Sequence, residues 1–422
     1  AVMDVIVIGC GASGIAALRK LHDAGLKVMG LEADEKIGGR IRTIEYGDCH
    51  LDLGAAWCHG EKDNVVFELA NPLGLLGRPD PDNKWYLLST GQLVANELSE
   101  SILQAINDEV ANAEKNNTES IKDFVRNNSH VGGENDPKQG KSLKGLEECW
   151  GCEGEFMLNW KGRGYRTILD VLLEVETIKW RTSPSSADAT NPLVHVSCKD
   201  GSLYAAKSVI VTMSLGVLKE RHSSLFNPPL PAEKINAIKN LQLAVLDKIY
   251  IDFTKPWWPK SPANFTILWT DEDKKKLGNS WVTDIVGLYS VTQYPNMLLA
   301  WIYGQAAMKM EKASEQEVKT EINKMLELFF KKEFNVTPVK NILRSQWGTN
   351  PLARGSYSYR SVANEENGGS AIVLSEPLYH ANHFPVVCFA GEATSHHRHS
   401  AVHGAIEAGF READRLIASL KK

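Results

Sequence analysis

The sequence predicts an α/β fold, α+β overall, in which a unit built on a parallel sheet is split along the chain and a second unit of mixed sheet and helices is inserted into it. Three observations support this prediction. The chain begins with a strand, a glycine-rich turn, a helix and a second strand. A more helical region interrupts this pattern from about residue 76. A strand at 386–390 and a helix at 404–420 return to it at the end of the 422-residue chain, which is too long for one simple core.

The first unit opens with Val5–Ile8, whose apolar, β-branched residues are typical of a buried parallel strand. Gly9, Gly11 and Gly14 follow at G-x-G-x-x-G spacing, and a second strand ends in Glu32, where such units place the acid that binds a ribose hydroxyl. These features predict Rossmann-like dinucleotide binding, with the pyrophosphate at the helix N-terminus. A glycine-rich turn in an ordinary βαβ unit, or such a fold without its cofactor, is the alternative, and the motif does not separate NAD from FAD.

Two further glycine-containing segments follow. In Gly38-Gly39-Arg40 the paired glycines allow close backbone approach, and Arg40 offers a positive charge to a phosphate. The segment 52–60 contains small residues that leave room for a flat ligand, together with Trp57 and His59, which are unusual in a turn. Taken alone, these two residues fit a core aromatic and a hydrogen-bonded histidine better than a binding site.

The remaining elements are predicted from hydrophobic periodicity. Helices are expected at 98–112, 120–126, 232–238, 314–330 and 404–420. Strands are expected at 41–46, 174–180, 194–198, 202–206, 208–212, 244–253, 297–303 and 386–390, with a rigid aromatic loop at 256–259. The predicted nucleotide-binding domain comprises residues 1–75, 160–230 and 385–422, and the inserted domain comprises 76–159 and 231–384.

Composition excludes some classes of function. A net charge of -5 argues against a nucleic-acid partner, and no apolar run is long enough to predict a membrane span. The chain has 7 cysteines, an odd number that suits a reducing compartment, so we expect a cytoplasmic protein, with a peroxisomal or secreted location as the alternatives. The pair Cys149 and Cys152 lacks the context of a redox or metal motif. A monomer or weak dimer is expected, and no metal site.

Taken together, the motifs resemble those of the flavin-containing amine oxidases, and within that family the polyamine oxidases of the animal acetylpolyamine and spermine oxidase type. The resemblance covers nearly the whole chain. It rests on the N-terminal glycine unit and on the segments 38–40, 53–60, 161–165, 246–249, 347–359, 389–394 and 403–405.

The resemblance implies non-covalent FAD, because Ser356 stands where monoamine oxidases carry the cysteine that bonds to flavin. It makes the two predicted domains an FAD-binding domain and a substrate-binding domain. In this family Glu32 holds the adenosine ribose, the backbone of Val175 meets the adenine, and Glu392 binds the ribityl or phosphate region. The implied cofactor-binding residues are Gly9, Gly11, Ala12, Ser13, Gly14, Glu32, Ala33, Gly39, Arg40, Gly54, Ala55, Trp57, Val175, Trp347, Gly391, Glu392, Val402 and Ala405.

The same resemblance implies a reaction with a small polyamine and O2. Hydride passes from a carbon next to a secondary amine of acetylpolyamine or spermine to flavin N5, the imine hydrolyses to an aldehyde and a smaller amine, and O2 reoxidises the flavin and becomes H2O2. The implied active-site residues are Lys248, which approaches flavin N5 through a water, His59 beside the substrate, and the aromatic candidates Trp57, Tyr357 and Tyr359. Ala401 departs from the tyrosine or threonine of related enzymes, which leaves the substrate identity open.

Three alternatives follow from the same motifs. A related flavin amine oxidase of another substrate class would act on methylated lysine or on monoamines. A flavin desaturase or oxidase of the carotenoid or porphyrin type shares the fold, but Lys248 and the Trp57/His59 turn argue against it. A binding protein of the GDP-dissociation-inhibitor type shares the architecture without flavin, and the intact motifs at both ends of the chain oppose it.

Overall fold

The computed structural model describes residues 2–80, 83–91, 93–94, 104, 151–173, 193–259, 262–381 and 383–421. The helix predicted at 120–126, nearly all of the helix predicted at 98–112 and the strand predicted at 174–180 lie outside these ranges, and so does Val175. None of the described helices is both long enough and apolar enough to cross a membrane.

The described strands are β1 (Val2–Ile8), β2 (Val28–Leu31), β3 (Thr43–Tyr46), β4 (Cys49–Asp52), β5 (Asn83–Leu87), β6 (Leu93–Val94), β7 (Val194–Ser197), β8 (Leu203–Val211), β9 (Gln242–Ala244), β10 (Leu246–Phe253), β11 (Ala263–Ile267), β12 (Gly287–Ser290), β13 (Met297–Tyr303), β14 (Val339–Arg344), β15 (Tyr357–Tyr359), β16 (Leu378–Tyr379) and β17 (Pro385–Phe389).

The described helices are α1 (Ala12–Asp23), α2 (Val65–Ala70), α3 (Thr167–Leu173), α4 (Leu215–Leu225), α5 (Ala232–Asn240), α6 (Asp271–Lys276), α7 (Gly304–Lys312), α8 (Glu315–Phe329), α9 (Val362–Asn367), α10 (Ala371–Ser375) and α11 (Val402–Leu420). Short 3₁₀ turns occupy Asn71–Leu73, Trp281–Asp284 and Glu392–Thr394.

The first sheet has the strand order β16-β17-β8-β1-β2, with β7 on β8. β1 pairs in parallel with β2 and β8, and β8 pairs in parallel with β17, so the sheet joins strands from both ends of the chain. Helices α1 and α11 pack against each other beside this sheet. A side chain at Gly409 of α11 would meet the backbone oxygen of Ser13 at 2.1 Å, so the glycine permits this close contact.

The second sheet has the order β14-β10-β13-β12-β11-β5-β6, and β10 lies antiparallel between β13 and β14. Ser314 caps α8 in a reciprocal hydrogen-bond pattern with Glu317, as expected for a helix beginning at that point. Trp257 contacts Phe265 and Phe330 beneath the sheet. The predicted aromatic loop at 256–259 is therefore part of a hydrophobic core.

Two details differ from the predictions. The strands expected at 202–206 and 208–212 form one continuous strand, β8, because neighbouring strands pair along its whole length. Helix α5 also packs into the core of the first sheet through Ala237 and Ile238, although the predicted domain boundary precedes it at residue 230. Periodicity marks the apolar face of such a helix but not the sheet that it covers.

Candidate active site

The glycine turn joins β1 to the N-terminus of α1. A Cβ atom at Gly14 would lie 1.9 Å from the backbone oxygen of Gly9, so only glycine permits this packing of the helix on the turn. Gly11 is the N-cap of α1, and no side chain caps this helix end. The hydroxyl of Ser13 is buried without a hydrogen-bond partner among the described residues. Free backbone N–H groups and an unpaired hydroxyl at a helix N-terminus suit an anionic phosphate.

Glu32 follows β2 and faces the same turn. Its Oε2 accepts the backbone N–H of Cys10 at 2.7 Å, and its Oε1 accepts those of Ala33 and Asp34 at 2.9 Å each. These bonds fix the carboxylate beside the glycine turn, while its remaining lone pairs can accept ribose hydroxyls. The position is the one that a dinucleotide-binding unit requires.

Arg40 and Glu392 form a largely buried ion pair, with Arg40 Nη1 2.8 Å from Glu392 Oε1. Burial alone would raise the pKa of Glu392, but Arg40 and hydrogen bonds from Ser358 and the Ser400 backbone hold it below its ordinary value. Arg40 also donates to the backbone oxygen of Ser356 at 3.1 Å. The pair thus joins the segment after β2 to the segments that carry β15 and Gly391.

Lys248 is 2% exposed and lies at the centre of the candidate site. Its Nζ donates to the backbone oxygens of Asp52 and Gly54, at 2.7 Å each. The rings of Trp57 and Trp301 have their centroids 5.4 and 5.0 Å from Nζ. Burial lowers the pKa of Lys248 to about 8, and the Asp52 carboxylate opposes this shift. A lysine near this pKa exchanges protons readily at physiological pH.

A cavity of about 620 Å³ opens beside Lys248. Trp57, Trp301 and Tyr250 contribute aromatic walls, and Trp57 contacts Trp301 with ring centroids 5.6 Å apart. The Tyr250 hydroxyl donates to the same Asp52 oxygen as Lys248, at 2.7 Å. Aromatic faces attract both cations and apolar carbon, so this cavity suits a long aliphatic amine.

Carboxylates also line this cavity. Asp52 is committed to structure, because it accepts the Thr43 hydroxyl at 2.5 Å and the Tyr165 backbone N–H at 3.0 Å. Asp80 and Glu155 lie in the same lining and offer negative charge to an amine. Other polar side chains also line the cavity, among them those of His50, Asn264 and Gln293.

His59 stacks on Phe156, with ring centroids 4.0 Å apart. Its Nδ1 lies 2.7 Å from the backbone oxygen of Phe156, so Nδ1 carries the hydrogen and Nε2 is left as an acceptor. Burial lowers the pKa of His59, although this hydrogen bond opposes the shift, and the ring is therefore neutral at pH 7. His59 lies beside the lining residues Glu155 and Met157 without itself forming the wall.

The candidates Tyr357 and Tyr359 lie on β15, which pairs with the short strand β9. Tyr357 pairs with Ala244 and Tyr359 with Gln242. The raised pKa of Tyr357 reflects burial first, and then the nearby hydroxyl of Tyr303, which lines the cavity. The hydroxyl of Ser356 donates to the Leu246 backbone oxygen and accepts its N–H, both at 2.8 Å, so this side chain is committed to structure.

The other predicted cofactor residues contact the segments at 40 and 53–55 or lie in connections around the first sheet. Trp347 Nε1 donates to the Leu53 backbone oxygen at 3.0 Å, and a Cβ atom at Gly54 would lie 3.0 Å from its ring. Ala55 donates its N–H to the Arg40 backbone oxygen at 3.2 Å. The rest occupy the start of α1, the ends of β2 and β17, the segment after β2 and the first turns of α11: Ala12, Ala33, Gly39, Gly391, Val402 and Ala405.

Sequence reasoning missed Trp301, Tyr250 and the backbone oxygens that hold Lys248. The register of β10 against β13 pairs Lys248 with Trp301, and no local pattern encodes that pairing. The one signal in the sequence was alternation along β10, which places Lys248 and Tyr250 on the same face of the sheet.

Comparisons with known proteins identify a family and several related sequences. The profile of a family described as Flavin containing amine oxidoreductase matches residues 12–143 and 169–417. The human Peroxisomal N(1)-acetyl-spermine/spermidine oxidase is 30% identical over 98% of this chain and 94% of its own length. Probable polyamine oxidase 5 of Arabidopsis thaliana is 26% identical over 99% of this chain and 98% of its own length. The mouse Lysine-specific histone demethylase 1B is 25% identical over 98% of this chain but 53% of its own length.

Proposed function

Because the chain belongs to the flavin containing amine oxidoreductases, we propose that it is a polyamine oxidase that uses non-covalent FAD. The observation that supports this proposal best is the buried Lys248 between Trp57 and Trp301, beside a cavity with carboxylates in its lining. Relatives named as polyamine oxidases align with nearly the whole chain and support the same substrate class. The substrate is acetylpolyamine or spermine, oxidised with O2 to an aldehyde, a smaller amine and H2O2.

The residues of the first sheet fit FAD. The uncapped start of α1 with the unpaired Ser13 hydroxyl suits the pyrophosphate, and Glu32 suits the ribose. FAD held by these residues would supply a hydride acceptor for the substrate that O2 can reoxidise. This assignment makes the unit around the first sheet a Rossmann-like FAD-binding domain, with the substrate-binding domain built on the second sheet. The free thiols, including Cys10 and Cys152, fit a reducing compartment such as the cytoplasm.

The aromatic walls act on the protonation state of the substrate. A hydride leaves a carbon beside a neutral amine far more easily than one beside an ammonium group. For an amine with a pKa of ~10.4, deprotonation at pH 7 costs about 4.6 kcal/mol. The low polarity of the cavity wall that Trp57 and Trp301 form reduces this cost, while Asp80 and Glu155 can bind a second, charged amine of the same molecule.

The rate of flavin reduction is therefore expected to rise with pH between 7 and 9, because a larger fraction of the reacting amine is neutral. Stopped-flow absorbance of the flavin at a fixed polyamine concentration measures this rate. Circular dichroism at each pH controls for unfolding. A flat or falling profile of the folded protein across pH 7 to 8 would contradict the requirement for a neutral amine.

Replacing His59 with alanine is expected mainly to raise KM or to misplace the substrate, because the neutral ring fixes Phe156 beside the cavity wall. Steady-state peroxide release with several polyamines measures this effect. The control is His195→Ala, which removes an exposed histidine of β7 that does not line the cavity. Unchanged kinetics of His59→Ala with every polyamine would return His59 to a purely structural role.

A peroxide-release assay over a panel of free and acetylated polyamines and monoamines, with analysis of the products, tests the proposed function. We expect turnover of polyamines, with a product set that identifies the oxidised carbon. Turnover of monoamines alone would replace the polyamine assignment with another class of amine oxidase. A purified protein without flavin absorbance would exclude a flavoenzyme and favour a binding protein.

A second candidate function is removal of methyl groups from lysine in a protein. The demethylase relative supports it, because its alignment covers almost all of this chain. Including a methylated-lysine peptide in the panel separates the two candidates. Formaldehyde release from that peptide, without turnover of polyamines, would favour the demethylase.

A further inference from the structure

A pair of buried carboxyl groups lies directly behind Lys248. Asp247 precedes it on β10 and is 0% exposed, and Glu311 in the last turn of α7 is 4% exposed. The two carboxyl groups lie within hydrogen-bonding distance of each other. Among the described residues no basic side chain forms an ion pair with either of them. Two buried carboxylates without a counter-cation cannot both be charged at low cost.

Hydrogen bonding identifies which group keeps a proton. Both oxygens of Glu311 accept backbone N–H groups, those of Gly348 and Thr349, at 2.7 Å each, which stabilises the anion. Oδ1 of Asp247 accepts the Ser345 hydroxyl at 2.7 Å and the Trp347 N–H at 3.1 Å. Oδ2 of Asp247 is buried and meets no N–H or O–H donor of the described residues, so it has no partner except Glu311. A proton on this oxygen would satisfy both groups at once.

The pair connects directly to the site. Ser345, which donates its hydroxyl to Asp247, accepts the backbone N–H of Lys248 at 2.9 Å. Trp347, which donates its N–H to Asp247, donates its indole N–H to the Leu53 oxygen. Lys248 itself donates to the oxygens on either side of Leu53. Of three consecutive carbonyl groups, Lys248 thus holds the first and third, and Trp347, on the turn that Asp247 and Glu311 fix, holds the second.

We infer that Asp247 and Glu311 share one proton, and that this shared proton positions Lys248 and Trp347 against the backbone of residues 52–54. Both are positioning residues, because neither lines the cavity. Loss of the proton places two like charges together and weakens the turn at 345–349. The inference depends on the proposed oxidation of amines only through its kinetic test.

The surrounding charges do not offer an alternative partner. From β13, the residue paired with Asp247 is the apolar Ile302. From β14, Arg344 directs its guanidinium to the backbone oxygens of Met310 and Ala313, at 2.5 and 2.7 Å. Lys309 and Lys312 of α7 are exposed, and Lys248 points to the opposite face of β10.

The sign of the pH dependence follows from these contacts. Burial, and then the neighbouring Glu311, raise the pKa of Asp247 to about 8. A carboxyl group with a raised pKa in the folded state makes the protein progressively less stable as the pH increases from the unfolded value towards the folded one. The loss therefore accumulates between about pH 4 and pH 8 and is complete above pH 8.

The test compares the flavin-loaded wild type with Asp247→Asn, whose amide donates permanently to Glu311. The melting temperature of the variant is expected to exceed that of the wild type by a margin that widens from pH 5 to pH 8. The flavin-reduction rate of the variant is divided by that of the wild type at each pH, so that the titration of the substrate, which affects both equally, cancels. This ratio is expected to rise above pH 8, by up to about tenfold at pH 9. The matched control is Asp252→Asn, because Asp252 is also a buried aspartate of β10 and accepts the Tyr46 hydroxyl. Neither its margin in melting temperature nor its rate ratio should rise with pH in this way.

If the difference in melting temperature between Asp247→Asn and the wild type stays constant with pH, the inference of a shared proton is wrong. If this difference widens with pH but the ratio of flavin-reduction rates stays flat, the proton is shared but does not position Lys248 and Trp347 for the reaction. If no amine is oxidised, the proposed function fails, but the melting series still decides the protonation.

Glu311→Gln provides the second variant, because a carboxamide accepts with one oxygen where Glu311 uses two. Its melting temperature is expected to fall at every pH, unlike that of Asp247→Asn. Equal destabilisation by both substitutions would contradict the assignment of the proton to Asp247.

Discussion

Replacing Lys248 with methionine is expected to slow the reduction or the reoxidation of the bound flavin by at least about tenfold while FAD stays bound. Methionine keeps a long, unbranched chain between Trp57 and Trp301, so the packing of the two rings changes little. What disappears is a buried amine whose pKa is lowered to about 8 and whose Nζ bonds the Asp52 and Gly54 backbone oxygens. The proposed site then loses a side chain that can move a proton between these aromatic walls.

Stability and catalysis can be separated with a second buried lysine. Lys234 is 3% exposed, its pKa is also lowered to about 8 by burial, and its Nζ donates to the backbone oxygens of residues 373, 374 and 376. Lys234→Met removes the same kind of contacts away from the aromatic cavity. It is expected to change the melting temperature but not the rate of flavin reduction.

Stopped-flow measurements of both half-reactions, with flavin content determined by absorbance, decide between the two roles of Lys248. If Lys248→Met retains both rates with FAD bound, the lysine serves only to hold the 52–54 backbone. If Lys248→Met loses FAD, the main role of Lys248 is to position the backbone of residues 52–54.

The parts of this site that lie within one short segment of the chain could be predicted from the sequence. The turn that includes Gly9 and Gly14, and the acid Glu32, lie within one βαβ unit, so spacing alone places them together, and the structure brings them to the end of the first sheet. The family resemblance extended this to FAD and amine oxidation, which the family match confirms. The individual roles of Lys248 and His59 stay predictions.

The long-range pairings could not be predicted. Trp301 meets Lys248 because β13 pairs with β10 in a particular register, and register depends on the whole sheet. Asp247 and Glu311 belong to a strand and a helix far apart in sequence, and each alone would be read as a solvent-exposed acid. The acids of the cavity, Asp80 and Glu155, likewise come from loops whose paths follow no periodicity.

Replacing Gly11 with alanine is expected to produce a folded protein that binds FAD at least about tenfold more weakly, because a methyl group that overpacks a tight contact costs about 1–3 kcal/mol. Gly11 has φ -76° and ψ -174°, a backbone conformation open to any residue. A Cβ atom there would meet nothing of the described protein nearer than the Gly38 oxygen at 3.8 Å, an ordinary contact. The protein alone therefore accepts alanine, and the clash arises only with the pyrophosphate that we propose at this helix end.

Gly14→Ala gives the opposite pattern and calibrates the measurement. Its Cβ would lie 1.9 Å from the Gly9 backbone oxygen, so α1 must move and the melting temperature is expected to fall whether or not FAD is present. Gly151→Ala, where a Cβ meets no described residue within 4 Å, controls for the loss of a glycine. Flavin absorbance per protein, FAD titration of the stripped protein and thermal melts separate the three variants. Full retention of FAD by Gly11→Ala would mean that the pyrophosphate lies elsewhere, since the substitution has no other steric route to an effect.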